Sequence, residues 1–249
     1  EEERKQASVQ ADGRYKQWAY SLSANQMWND TDSTSTTINA GQAPKQQSVT
    51  TDRTMQMFSP RLEYQVDDEQ KVVGEIFYRN TKSTNNSSSQ FQDNRNDSIR
   101  LNTRYERNTD QATDKIRLTA EHQNENQLTV AKTNQLYTDE TIDEYGIGYD
   151  GMRKIDRNKQ IKFGFDAKSN RLESNQEATL NEKRYAIYLE GSYRFSPQQT
   201  VTLGARQEWL KRDGLVDFDD HHFNPVLAHR YDFDDHWSLQ TNLSQAYRA

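Results

Sequence analysis

The chain of 249 residues carries a formal charge of −6, and only 32% of its residues are hydrophobic. That fraction is too small for the buried core of a compact soluble enzyme of this length, yet 13 Tyr, 9 Phe and 4 Trp are too many aromatic residues for a disordered chain. The weak negative charge and the absence of a nucleic-acid-binding motif exclude RNA and DNA as expected partners.

Alternating polar and apolar residues predict β-strands along the whole chain, and no segment sustains helical spacing. No run approaches the roughly 18 apolar residues of a transmembrane helix, whereas the wall of a β-barrel needs only every second residue to face lipid. We predict twelve strands, which lie near residues 4–11, 15–28, 55–66, 71–82, 97–107, 115–127, 142–153, 160–172, 183–195, 199–211, 225–233 and 236–248.

The clearest alternation runs from Tyr185 to Phe195. Its odd positions are apolar or aromatic and its even positions are largely polar, so one face of the strand suits lipid and the other suits water. The segment has about the length of a membrane-spanning strand. A turn at Ser196-Pro197-Gln198 leads into a second alternating segment, and we therefore predict a hairpin here.

The connections between the predicted strands alternate between short and long. The short turns lie near residues 12–14, 67–70, 108–114, 154–159, 196–198 and 234–235. The long polar loops lie near residues 29–54, 83–96, 128–141, 173–182 and 212–224. Short periplasmic turns and long extracellular loops are typical of barrels in the bacterial outer membrane.

Aromatic residues are predicted near both ends of the strands, as in the two aromatic girdles of membrane barrels. Those beside the short turns are Tyr64, Tyr105, Phe195, Tyr231 and Phe233, and those at the opposite ends are Trp28, Trp209 and Tyr247. A soluble β-rich binding module, with the aromatic residues in its core, is an alternative. The alternation of turn lengths disfavours it.

A second alternative is a self-contained porin or adhesin barrel of twelve strands. With the short turns in the periplasm, however, both ends of a twelve-strand series would lie outside the cell, whereas the ends of such barrels are expected on the periplasmic side. We therefore expect residues 1–249 to form a single segment of a larger barrel, with at least one strand before Glu1 and several after Ala249.

Four motifs in the last third of the chain resemble the middle of the barrel of TonB-dependent outer-membrane receptors. They are Leu203-Gly204-Ala205-Arg206, Asp220-His221-His222-Phe223-Asn224-Pro225, Tyr231-Asp232-Phe233-Asp234-Asp235-His236-Trp237-Ser238-Leu239 and Gln245-Ala246-Tyr247-Arg248-Ala249. The resemblance covers about the last 65 residues and implies an all-β, antiparallel transmembrane barrel of 22 strands, of which this chain would supply about twelve.

The resemblance also implies a function and its partners. Such receptors import a ferric siderophore or another scarce solute across the bacterial outer membrane, and they are energised by the TonB complex through a plug domain. The expected partners are therefore this solute, the TonB complex acting through a plug outside this chain, and outer-membrane lipid or lipopolysaccharide. Iron would enter only as cargo, and no resident cofactor is expected.

Four residues are candidate ligand contacts. Arg100 and Arg206 are predicted to face the interior of the barrel, where guanidinium groups attract anionic siderophores, although they could instead pair with Glu208, Glu121 or carboxylates of the plug. His221 and His222 precede the Asn224-Pro225 turn in a polar loop. Neighbouring strand residues face opposite sides, so we predict no metal site for the two imidazoles.

No catalytic residue is predicted. His122 lies on the predicted lipid-facing side without an identifiable serine partner, and no nucleophile-elbow, zincin, phosphate-loop or dinucleotide motif occurs. We therefore expect a receptor and not an enzyme.

Overall fold

The computed structural model describes residues 2–37, 45–87, 89–131, 134–177, 179–214, 217–234 and 236–245. They form one antiparallel sheet of twelve strands whose order follows the chain, so that β1 and β12 are its two edges. The strands are β1 (Glu2–Tyr15), β2 (Trp18–Thr37), β3 (Lys45–Gln65), β4 (Gln70–Ser87), β5 (Gln90–Asn108), β6 (Ala112–Ala131), β7 (Asn134–Lys154), β8 (Lys159–Ser174), β9 (Leu180–Ser196), β10 (Gln199–Asp213), β11 (Phe218–Asp232) and β12 (Ser238–Ser244). The predicted strand number and all-β architecture are confirmed. None of the described residues belongs to a helix that is long and apolar enough to cross a membrane.

Most strands extend well beyond their predicted ends on the side away from the short turns. β2 continues to Thr37, and the β6–β7 hairpin pairs as far as Ala131 and Asn134. The predicted long loops are therefore largely paired strands, and this part of the prediction is wrong. Polar and apolar residues alternate along a strand only where one face of the sheet meets an apolar environment and the other meets water. Where both faces meet water the alternation disappears, although the backbones of the strands remain paired. Residues 38–44, Asp235 and Tyr247, which belong to the predicted loops, turns and girdles, lie outside the described residues.

Two chemically different faces result from the strand register. Leu203 on β10 lies opposite Gly191 on β9 and Leu227 on β11, and such rows continue across the sheet. We call this side the apolar face, and its exposed members include Leu22, Leu62, Ile76, Ile99, Leu101, Ile116, Leu118, Ile147, Phe165, Ile187, Leu189 and Leu203. The opposite side, which carries the charged residues at alternate positions, is the polar face.

Burial is the reverse of that in a soluble domain. Among the described residues, the buried hydrophobic side chains are Val73, Ala186 and Leu210, and all three lie on the polar face between charged neighbours. The large aliphatic side chains of the apolar face are instead exposed. A continuous apolar surface of this extent requires an apolar environment, which a bilayer supplies.

Aromatic side chains border the apolar face at the short-turn end of the strands, as the sequence predicts. The rings of Trp18 and Tyr64 lie 4.5 Å apart between centroids, and those of Tyr231 and Phe233 lie 4.7 Å apart. The hydroxyl of Tyr105 donates a hydrogen bond of 2.7 Å to the side-chain oxygen of Gln70, at the neighbouring turn. Rings in apolar surroundings with hydroxyls on polar groups suit a membrane interface.

Candidate functional site

The middle of the polar face is covered by cross-strand ion pairs. Arg100 on β5 lies opposite Glu121 on β6, and its Nη2 is 2.7 Å from Glu121 Oε2. Lys168 on β8 reaches Glu144 on β7, with 3.3 Å between Nζ and Oε1. From the sequence, Arg100 could contact a ligand or pair with a carboxylate of the barrel or plug, and in the structure it pairs with Glu121.

A chain of five alternating charges crosses the polar face from β6 to β10. Arg117 Nη2 lies 3.1 Å from Asp150 Oδ2 and 3.1 Å from Asp166 Oδ1. Arg206 continues the chain, because its Nη1 lies 3.4 Å from Asp166 Oδ2 and its Nε lies 2.7 Å from Glu208 Oε1. We call this group the charge ladder. Each guanidinium bridges two carboxylates, which fixes both its position and its orientation.

Glycines make room for the larger side chains of the charge ladder. A Cβ at Gly148 would lie 2.7 Å from Asp166 Oδ1 and 3.0 Å from Arg117 Nη2. The ring of Tyr188 covers Gly164, and the Tyr188 hydroxyl donates a hydrogen bond of 2.7 Å to Asp150 Oδ1. These glycines are therefore needed for close approach of the side chains and not for an unusual backbone conformation.

A concave pocket of about 420 Å³ lies beside the charge ladder. Its charged lining consists of Arg100, Arg117, Glu121, Glu144, Asp166 and Lys168, with Gly146 and Gly148 at its floor. Cations and carboxylates alternate around it, so the pocket offers fixed donors and acceptors to a polar ligand. This arrangement can bind and orient such a ligand by charge-assisted hydrogen bonds.

The two candidate histidines lie in β11 and not in the predicted loop. His221 is opposite Trp209 on the apolar face, whereas His222 is opposite Glu208 on the polar face. His222 Nε2 lies 2.9 Å from Asp220 Oδ2. The two imidazoles therefore point to opposite sides of the sheet. The described residues contain no group of three or more His, Cys, Asp or Glu side chains that could hold a metal ion.

Asp114 is an acidic residue on the apolar face, between the β5–β6 turn and Ile116, where the apolar residues of β6 begin. Tyr149 and Arg153 each donate a hydrogen bond of 2.6 Å to its Oδ1. The Arg153 guanidinium also pairs its charge with that of the Asp114 carboxylate. Asp114 is thus held by two donors at the border of the apolar surface.

Sequence reasoning missed most members of the charge ladder. Arg206 was a candidate, but Arg117, Asp150 and Asp166 were not. These three residues alternate with apolar residues along their strands, and this pattern predicts that they lie on the polar face. Which of them meet depends on the register between β6, β7 and β8, which alternation within a single strand does not give.

A family model described as "TonB dependent receptor-like, beta-barrel" matches residues 2–249. No curated protein sequence matches the chain. Three similar solved structures are the FrpB iron transporter from Neisseria meningitidis, the ferric enterobactin receptor PfeA, and P. aeruginosa FpvA bound to heterologous pyoverdines. FrpB has a TM-score of 0.73 and 11% identity, over 96% of this chain and 43% of that chain.

PfeA has a TM-score of 0.74 and 13% identity, over 99% of this chain and 42% of that chain. FpvA has a TM-score of 0.70 and 11% identity, over 96% of this chain and 40% of that chain. The chain therefore spans less than half the length of these proteins, and at such low identity the likeness establishes the fold alone. The family match covers nearly every residue, and the chain belongs to the TonB-dependent receptors, within their β-barrel.

Proposed function

We propose that the chain is part of an outer-membrane receptor that takes up a ferric siderophore, or a similar scarce solute, with energy from the TonB complex. The observation that carries the proposal is the division between an apolar face and a polar face with the charge ladder. In a membrane barrel the apolar face meets lipid and the polar face lines the lumen. The similar structures include a ferric enterobactin receptor and a ferric yersiniabactin uptake receptor.

In this proposal residues 1–249 form one barrel segment in the bacterial outer membrane, in contact with lipid or lipopolysaccharide. A plug domain outside the chain would fill the lumen and connect it to the TonB complex. Uptake would begin with capture of the solute at the outer hairpins and continue through rearrangement of the plug. No covalent step and no resident cofactor are involved, and iron enters only within the cargo.

The proposed ligand contacts are Arg100, Arg206, His221 and His222. The guanidinium groups of Arg100 and Arg206 are held beside carboxylates. An anionic ligand would displace a carboxylate and accept the charge-assisted hydrogen bond from the guanidinium in its place. Such an exchange needs little side-chain movement and costs little conformational entropy. His222 would contribute from the same face, and His221 from the outer rim.

The test is the binding and uptake of radiolabelled ferric siderophores by the full-length receptor in iron-starved cells. We expect Arg206→Ala to weaken binding about tenfold, as loss of one hydrogen bond to a charged group does. Arg206→Lys should restore part of the affinity, because it keeps the charge without the fork of donors. Arg61→Ala is the matched control, since Arg61 pairs with Glu63 nearer the short-turn end.

Two results would contradict the proposal. Passive flux of small solutes that depends on size and not on the TonB complex would indicate a porin. A full-length protein that remains monomeric in water without detergent would indicate a soluble β-rich module.

A further inference from the structure

Two cations lie on the apolar face at its border with the short turns. Arg153 on β7 lies opposite Ile161 on β8, and Lys159 lies two residues before Ile161, nearer the turn. Lys159 lies opposite Tyr193 on β9. Arg153 and Lys159 are therefore diagonal neighbours on one face of the sheet, about 7–8 Å apart at the backbone.

Aromatic rings lie beneath both cations. Lys159 Nζ lies 5.6 Å from the centroid of the Tyr193 ring, and Arg153 Cζ lies 5.6 Å from the centroid of the Phe163 ring. A cation within about 6 Å of a ring face is attracted to that ring. The two charges are therefore held at the aromatic border of the apolar face, which is where lipid headgroups meet the hydrocarbon layer of a bilayer.

Positive charge is in excess at this border. Arg153 pairs with Asp114, but Asp114 also lies opposite Arg107 on β5. Lys159 Nζ lies 3.6 Å from Asp156 Oδ2, and about half of each of these two side chains is exposed. An exposed ion pair of this kind contributes little free energy, so an outside anion can replace Asp156 as the partner of Lys159.

A notch in the apolar surface lies next to Lys159. Gly191 on β9 lies between Ile161 on β8 and Leu203 on β10, and a Cβ at Gly191 would have no atom within 4 Å. The next residue of β9 on the same face, towards the short turns, is Tyr193, which lies under Lys159 Nζ. The notch therefore has a glycine floor, aliphatic walls and a cation at one end.

This combination matches a ligand that carries an anionic group and a hydrocarbon chain in one molecule. Two residues of a strand span about 6.8 Å, and this is the distance along β9 from the floor of the notch to the ring under Lys159. The glycerol unit of a phospholipid joins its phosphate to its acyl chains over a similar distance. A soluble anion would use the cations but not the notch, and a neutral lipid would use the notch but not the excess charge.

We propose that this border site binds one anionic glycerophospholipid, with its phosphate between Lys159 and Arg153 and an acyl chain over Gly191. Arg153 is fixed in place, because its Nη1 donates hydrogen bonds to the backbone carbonyls of Thr113 and Met152. Lys159 is free to move towards the phosphate. The inference rests on the proposed function only in taking the apolar face to meet lipid, and with periplasmic short turns the lipid belongs to the inner leaflet.

The test is native mass spectrometry of the full-length receptor in detergent micelles, titrated with phosphatidylglycerol or with phosphatidylcholine of the same acyl chains. We expect the lower Kd for phosphatidylglycerol. K159Q should raise that Kd about fivefold, since one cation near anionic headgroups contributes about that factor. K154Q is the matched control and should leave it unchanged, because Lys154 lies at the same end of β7 but on the polar face, opposite Gln160.

A second pair of variants tests the notch. G191V should raise the Kd for phosphatidylglycerol severalfold, because the valine side chain occupies the place of the acyl chain. Gly74 on the apolar face of β4 provides the control, since a Cβ there would also have no atom within 4 Å. Its neighbour towards the short turn is Val72, which lies between Tyr64 and Tyr105 and not beside a cation. G74V should therefore leave the Kd unchanged.

An unchanged Kd in K159Q, equal Kd values for the two lipids, or equal losses in G191V and G74V would each overturn the proposal. Displacement of the lipid by inorganic phosphate, but not by chloride at equal ionic strength, would assign the cations to a free anion and also overturn it. The faster electrophoretic migration of the folded barrel verifies that each variant is folded. None of these measurements depends on siderophore uptake, so the lipid site and the proposed function can fail separately.

Discussion

Replacement of Leu203 by arginine tests whether the apolar face meets lipid. Leu203 is 61% exposed, and it lies opposite Gly191 and Leu227 in the interior of the apolar face. Thr202 is its neighbour on the polar face, where Thr202 Oγ1 lies 2.8 Å from Ser192 Oγ. Thr202→Arg is therefore a matched control in which the same side chain enters the opposite face, one residue away.

The expected loss of stability follows from the exposed area of Leu203. Complete burial of a leucine contributes about 1.5–3 kcal/mol, so contact of the 61% exposed side chain with lipid accounts for about 1–2 kcal/mol. An arginine near the bilayer midplane costs about 2–4 kcal/mol in a membrane barrel. The cost of the arginine is the larger of the two contributions, and its middle value gives an expected loss of about 3 kcal/mol in the free energy of unfolding for Leu203→Arg. Thr202→Arg loses one hydrogen bond, which contributes about 1 kcal/mol.

The assay is reversible urea unfolding of the full-length receptor in lipid vesicles, followed by tryptophan fluorescence. The expected result is a clearly larger loss for Leu203→Arg than for Thr202→Arg. If the apolar face met water, Leu203→Arg would be nearly neutral. A loss no larger than that of the Thr202 variant would therefore refute the assignment of the apolar face to lipid.

Two further predictions concern packing and hydrogen bonding. Gly164→Val should lower the temperature at which half of the protein unfolds, because its Cβ would lie 2.6 Å from the Tyr188 ring and overpacking costs about 1–3 kcal/mol. The folded fraction is measured after heating by the faster electrophoretic migration of the folded barrel. Gly191→Val is the control and should leave this temperature unchanged, because its Cβ would have no atom within 4 Å. Asp114→Asn should lower the free energy of unfolding at pH 7 by about 1–2 kcal/mol, because the hydrogen bonds from Tyr149 and Arg153 lose their charged acceptor. Urea unfolding in lipid vesicles measures this loss, and an unchanged free energy of unfolding would contradict the stabilising role of the Asp114 carboxylate.

Strand number and the two faces could be predicted from the sequence because both depend on local alternation. The alternation from Tyr185 to Phe195 predicted a strand over 183–195, and the structure has β9 at Leu180–Ser196. The outer ends could not be predicted in this way. Beyond the apolar face, polar residues such as those of the β6–β7 hairpin lie on both sides of the sheet, and a paired strand then has the same composition as a loop.

The candidate site was predicted only in part. Arg100 and Arg206 lie on the polar face as expected, and both are held beside carboxylates. His221 and His222 were assigned to a loop, since the polar residues around them carry no alternation, and instead they continue β11. Their opposite orientation follows from strand geometry in any case.

The class of fold, the apolar and polar faces and the resemblance to TonB-dependent receptors follow from local residue patterns, because alternation and short motifs are properties of neighbouring residues. Which charges meet is known only from the pairing of the strands. Arg117, Asp166 and Arg206 are far apart in the chain and come together through the register of β6 to β10. The same register sets Lys159 opposite Tyr193 and places Gly191 between Ile161 and Leu203. Register is set by pairing between strands, and a shift of one residue would exchange every partner and turn each side chain to the other face.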